Sequence, residues 1–468
     1  MNDSITRPMI ANAISFDSRY ALVTIILGIL LVLIPARGVF SYEKNELQET
    51  KYVLPQDDLS VGALVRYAFE NSPAIKEARE SWNASIETYR IQTGYPDPKL
   101  MVTYFPDPIE TRLGPQDWNA SISQNIPFPG KLSKAGRVAT FDAKIARLRL
   151  DQAIRDVIIS IRESVYELYY IRTAKQIARQ NEEVLDHLRK VTETQYAQDS
   201  AALVDVVKAQ SQVGQLRYDM LLLDDLEMTE ITQLNSILNR SPEAFIGQIR
   251  FEKAVDIVFS LEEIYKMAQD HQEEIKMASE RIKKAQAKTD LARAKNMPDF
   301  NLGLFYAAIG EPDVSQPPDD AGRDAIGIQA GISLPLWFGK NKSRVNLARA
   351  EKRKAEASKE RQINSTRAKI RTLYFRFQNT ERIITLYRDD LIPQAAGAME
   401  LSETFFKEGQ SSFSDFLETQ SVWYNFQLAL ARAQADYGKY IAKIERLVGR
   451  DITRLDNGPA IDKTGEEK

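Results

Sequence analysis

The sequence predicts a mixed α and transmembrane-β protein, mostly long coiled-coil helices, with four short strands per chain that close a barrel only when several chains pool them. Three observations carry this. The chain is a tandem duplication, its helical stretches carry seven-residue apolar stripes over unusual lengths, and its strand-like stretches alternate apolar and polar residues.

The duplication is read from motifs that recur in the same order. Ser60-Val61-Gly62-Ala63-Leu64 returns loosely as Ser260-Leu261-Glu262-Glu263-Ile264, and Tyr95-Pro96-Asp97 returns as Met297-Pro298-Asp299. Pro127, Gly130 and Lys131 return as Pro335, Gly339 and Lys340, and Asp205 to Gln210 returns as Asp415 to Gln420. The offset drifts only from 200 to 210 residues, which short loop insertions explain. A first structural repeat is therefore expected over 59–240 and a second over 260–450, joined by a link at 241–259. Each reads helix, strand, loop, strand, very long helix, tight turn, long helix.

Heptads place the long helices at 130–197 and 202–239 in the first repeat, and at 340–407 and 414–449 in the second. Ile154, Ile158, Ile161, Val165 and Leu168 are spaced four and three apart. Ile363, Ile370, Phe377, Ile384 and Leu391 fall seven apart, as do Phe416, Trp423, Leu430, Tyr437 and Ile444. Stripes this regular mean helices packed side by side. From Lys131 to Tyr196 only Gly136, near the start, interrupts, so a single helix of roughly 100 Å is expected from the α-helical rise.

Strands are expected near 98–106, 117–127, 299–308 and 325–335. Ile326, Ile328, Ala330, Ile332 and Leu334 alternate with Gly327, Gln329, Gly331 and Ser333, and Leu100, Val102 and Tyr104 form a similar face. This is the pattern of a membrane-barrel strand, and equally that of a soluble hairpin with one buried face. Four strands cannot close a barrel, and an open edge cannot sit in lipid; three chains would supply twelve. The proline-rich segments Pro106 to Asp117 and Gly310 to Gly322 are expected as exterior loops. At the strand–helix junctions Pro127 and Pro335 end strands, while Gly130 and Gly339 let the chain bend.

Of the 468 residues 27% are charged, with a formal net charge of -3 and no basic patch that would hold nucleic acid. Cysteine is absent, which excludes disulfides, thiolate chemistry and an acylated N-terminal cysteine. His187 and His271 are the only histidines, and no nucleophile–base pair, phosphate loop or metal-ligand set is present, so neither an enzyme nor a cofactor is expected. The apolar run Ala21 to Ile34 follows Arg7 and Arg19 and precedes Ala36-Arg37-Gly38. It reads as a signal peptide over 1–38, with an N-terminal extension over 39–58 and a disordered polar tail over 451–468.

Taken together, the doubled Pro-Asp pairs, the Pro…Gly-Lys junctions and the turn Gly409-Gln410-Ser411-Ser412-Phe413-Ser414-Asp415 resemble the TolC family of outer-membrane efflux proteins, from Leu59 to Arg450. The resemblance implies a homotrimer with a twelve-stranded barrel in outer-membrane lipid and a helical barrel extending into the periplasm. Its function would be the exit duct of a tripartite efflux or secretion pump, fed by an inner-membrane pump through a periplasmic adaptor. It further implies that Asp415 and Glu418, with Asp205 in the first repeat, line a periplasmic constriction. The adaptor would dock on the tips Gln198, Asp199, Ser200 and Gly409, Gln410, Ser411.

For Asp415 a simpler role competes, because Ser412 and Asp415 match a capping box. Lys208 stands where Glu418 stands in the second repeat; it is expected in solvent, with pairing to Asp415 or Glu418 across the tips as the alternative. Two other readings of the whole chain remain open: a periplasmic coiled-coil adaptor anchored by Ala21 to Ile34, and an envelope scaffold without transport.

Overall fold

A computed structural model describes Leu54, residues 59–250 and residues 257–453. The expected signal peptide, nearly all of the N-terminal extension, residues 251–256 of the link and residues 454–468 of the tail lie outside the described residues.

The first repeat runs α1 (Val61–Asn71), α2 (Pro73–Thr93), β1 (Lys99–Thr111), β2 (Gly114–Ile126), α3 (Lys131–Ala197) and α4 (Leu203–Ile237). The second runs α5 (Leu261–His271), α6 (Glu273–Ala294), β3 (Phe300–Ile309), β4 (Ala325–Ile332), α7 (Phe338–Thr385), α8 (Ile392–Lys407) and α9 (Phe413–Val448). A π-helical turn, Leu386–Leu391, joins α7 to α8. The sequence reading expects one unbroken helix there. Pro393 in the first turn of α8 has no N–H to donate, and widening of the preceding turn accommodates the missing bond.

Each repeat builds its own core on the heptad stripe of its long helix. In the first, Leu64 and Ala68 of α1 pack with Ile161, Val165 and Leu168 of α3. In the second, Ile264 and Ala268 of α5 pack with Ile370 and Phe377 of α7 and with Tyr437, Ile441 and Ile444 of α9. Helices α1 and α5 start on side-chain caps: Ser60 accepts from Ala63 N at 3.1 Å, and Ser260 and Glu263 form a reciprocal capping box.

Helix pairing changes along the long axis. Toward the strands the order is α2, α3, α6, α7; toward the tips α3 lies between α4 and α9, and α7 and α8 flank α9. No helix among the described residues is long and apolar enough to cross a membrane.

The strands form one antiparallel sheet in the order β1-β2-β3-β4. Leu100, Val102, Tyr104, Leu302, Leu304, Ile326 and Ile328 are all exposed, giving the sheet an apolar outer face. The first hairpin differs from expectation: Pro106 to Asp117 is not an open loop, since β1 continues to Thr111 and β2 starts at Gly114. A register shift between Tyr104 and Ile109 contains Pro106 and Pro108, so neither proline must donate to the ladder. Gly114 turns the hairpin at φ 134°, where a Cβ would fall 1.8 Å from the Gly310 carbonyl oxygen.

Candidate functional site: helical tips and strand–helix junctions

At one end of the molecule two helical hairpins turn side by side. The α3–α4 turn places Asp199 in the left-handed region (φ 58°), and the α8–α9 turn places Gly409 there (φ 72°). Both turns close with the same bond, from Ser200 N to the Gln195 oxygen and from Gln410 N to the Phe405 oxygen, each 2.8 Å. Asp199 therefore does in the first repeat what Gly409 does in the second, so the missing glycine leaves the turn intact; Asp is among the residues that tolerate this conformation. Phe406, Phe413 and Phe416 pack with Leu188 and Ala209, locking the two hairpins together.

Asp415 takes the capping role. Its carboxylate accepts from Ser412 N at 3.1 Å while Ser412 Oγ accepts from Asp415 N at 3.2 Å, and both Asp415 and Glu418 are exposed. In the first repeat Ala202 stands at the cap position without a side-chain acceptor, leaving half-buried Asp205 outside any such box. Lys208 is exposed, as the solvated reading has it, and does not pair with Asp415 or Glu418. Lys208 Nζ donates instead to Ser414 Oγ at 2.7 Å, because Asp415 is held back against its own helix end.

At the other end of α3 the repeats meet through two motifs the duplication singled out. Lys131 Nζ contacts Asp299 Oδ1 at 2.7 Å and donates to the Met297 carbonyl at 2.8 Å, while Phe128 N donates to the same carboxylate oxygen at 2.8 Å. Phe128 stacks on Phe300, ring centroids 6.5 Å apart. Partial burial pushes the Asp299 carboxyl up, but the Lys131 and Phe128 hydrogen bonds and the ammonium charge outweigh it and hold it below the usual range.

Gly130 makes the bend into α3 at φ 88°. Gly339 does not do the same for α7. One extra residue separates Pro335 from Lys340, α7 begins at Phe338 with Trp337 as its cap, and Gly339 lies inside the first turn without a positive φ.

Sequence reasoning missed the ladder of ion pairs that joins the repeats along α3. Arg155 pairs with Glu273 at 2.8 Å, Arg446 bridges Glu274 (2.7 Å) and Asp156, Arg162 pairs with buried Glu445, and Glu167 takes Arg432 (2.9 Å) and Lys439. Opposite charges at the inward positions of α3 and α9 were the available signal.

The chain matches the description "Outer membrane efflux protein" over residues 64–240 and 264–450, one stretch in each repeat. The chain belongs to the outer membrane efflux protein family. It is 24% identical over 339 residues to the pyoverdine export outer membrane protein OpmQ of Pseudomonas aeruginosa, covering 69% of this chain and 68% of that one. Its fold is that of solved outer-membrane channels. The outer membrane protein VceC of Vibrio cholerae superposes with a TM-score of 0.69 at 18% identity, over 84% of this chain and 96% of VceC. The Neisseria gonorrhoeae MtrE outer membrane channel, in its open state, gives 0.65 at 15% identity, over 84% and 91%. The protein is thus an outer-membrane efflux channel that extends into the periplasm, and the adaptor and scaffold readings fall away.

Proposed function

We propose that the channel works as a homotrimer: twelve pooled strands cross the outer membrane, the helices form a periplasmic duct, and the duct conducts solutes without transforming them. An inner-membrane pump feeds it through a periplasmic adaptor that docks on Gln198, Asp199, Ser200 and Gly409, Gln410, Ser411. Asp415 and Glu418, with Asp205, ring the narrow tip, where three copies of each would bind and select cations. The test of the ring is conductance of the Asp415→Ala/Glu418→Ala trimer: unchanged block by divalent cations removes it.

The observation that carries the trimer is the pair of free sheet edges. Among the described residues β1 and β4 each pair on one side only, yet both present exposed aliphatic residues on the lipid-type face. Lipid does not tolerate unpaired strand edges.

The duplication says how those edges meet. Lys99 pairs with Ser123 in the first repeat and Asn301 with Gly331 in the second, so the repeats are related by 202 residues in the first strand and 208 in the second. Ser121 pairs with Phe305 between β2 and β3. The same shifts put Gln329 of one protomer opposite Thr103 of the next. A native chain without cysteine makes the test clean. Oxidised Gln329→Cys/Thr103→Cys protein is expected to run as a covalent trimer, whereas Gln329→Cys/Met101→Cys, two residues out of step, is not. Cross-linking of neither pair would sink the shared barrel.

A further inference from the structure

The small net charge of the chain conceals a strong separation along its length. α7, which descends from the barrel, carries fourteen Lys and Arg against four Glu, whereas α4, which rises from a tip, carries two basic residues against six acids. α7 packs on α6 and α9 along the side that buries Ala348, Thr366, Ile370 and Phe377. Its opposite side exposes Leu347 and Phe375, the side a neighbouring protomer would cover.

Two faces remain, and in a closed ring of helices one must look into the duct. On one of them Lys342, Arg349, Arg353, Arg367 and Arg371, all exposed, recur at helical spacing against Glu356 and Glu360. On the other stand exposed Lys369 and Arg376, while the one acid of that face, Glu351, is already paired with Lys288 at 3.3 Å. Both faces are net positive, so α7 presents positive charge to the upper duct whichever is innermost.

We propose that the upper half of this duct selects for anions, and that its cargo belongs to the class of small anionic solutes. Fixed positive charge inside a low-dielectric wall concentrates anions and repels cations, and threefold assembly multiplies it. The inference rests on the trimeric-duct reading. The tip acids lie in series at the far end of the helices, so the upper wall is best read with them neutralised.

The experiment is the permeability ratio of chloride to potassium, from reversal potentials of single trimers in a planar bilayer under a KCl gradient. It is run on Asp415→Asn/Glu418→Gln channels. The expected ratio exceeds one several-fold. It should fall at least twofold on adding either Arg349→Gln/Arg353→Gln/Arg371→Gln or Lys369→Gln/Arg376→Gln, whichever set faces the lumen, with trimer mass checking assembly of each. A conducting channel that prefers potassium, or one indifferent to both sets, overturns the inference and leaves the duct standing. A trimer that does not conduct at all sinks the duct reading and this inference with it.

Discussion

The duplication makes one contact between protomers calculable in advance. Within the chain Lys131 of the first repeat grips Asp299 of the second. Lys340 is the counterpart of Lys131 in helix phase, since Ile161 and Ile370, and Leu168 and Phe377, occupy matching buried positions at the same offset of 209 residues. Asp97 is the counterpart of Asp299, and both Lys340 and Asp97 are exposed in the single chain. Closing the barrel should bring Lys340 of one protomer onto Asp97 of the next.

The internal bond sets the magnitude. Its side chains are 11% and 30% exposed, and the carboxylate also accepts a backbone N–H, which places it between a surface pair and a buried charge-assisted hydrogen bond. About 1–2 kcal/mol of coupling per junction follows, or roughly 3–6 kcal/mol for three in a trimer. The assay is a double-mutant cycle of Lys340→Asp and Asp97→Lys, read as dissociation of the detergent-solubilised trimer in urea. Each reversal alone should weaken the trimer, and the pair together should recover much of the loss. A coupling indistinguishable from zero would refute the symmetry argument at this junction, even with a trimer present.

Further outcomes follow from the ladder along α3 and from the tips. Burial pushes the Glu445 carboxyl above its ordinary range, so its contribution to stability is complete at low pH and is lost as pH rises through the folded-state pKa; the melting temperature of Glu445→Gln relative to wild type should therefore climb between pH 4 and 7. Glu167 runs the other way. Burial raises it, but hydrogen bonds and charge from Arg432 and Lys439 win and lower it, so Glu167→Gln should lose ground to wild type over the same interval; parallel curves would show both assignments wrong. Gly438→Ala would put a Cβ 2.2 Å from the Tyr166 ring and should cost about 1–3 kcal/mol in thermal unfolding, unless the ring moves aside freely. Asp199→Val places a β-branched residue in the left-handed region and should speed protease cleavage at the first tip, whereas Asp199→Gly should slow it; equal rates would mean the turn is not strained.

What the sequence revealed and what it hid separate along physical lines. Periodic features were legible because they repeat: Ile370 and Phe377 sit on a seven-residue stripe, and both are buried where that stripe predicts. The alternation of Ile326 and Ile328 with Gly327 and Gln329 likewise marked β4 and its exposed apolar face. Singular features were not legible. Whether Pro106 and Pro108 end a strand or sit in a bulge depends on the partner strand, which Gly114 supplies by turning tightly. Gly339 looked equivalent to Gly130 by motif, yet one inserted residue moved the bend to Trp337.

The same division explains the tips. Lys208 lies exposed beside the second tip, and its partner is decided by a contest between a capping box and an ion pair. Asp415 can satisfy a backbone N–H of its own chain without immobilising a second long side chain, so the local bond is favoured and the lysine takes the neighbouring hydroxyl. A carboxylate committed in this way still carries its charge into the proposed ring. Its position is then fixed by the helix end rather than by rotamer freedom, which is what a selective constriction requires of its lining. Glu418, exposed and without that constraint, is the member of the pair whose removal should change divalent block while leaving the turn folded.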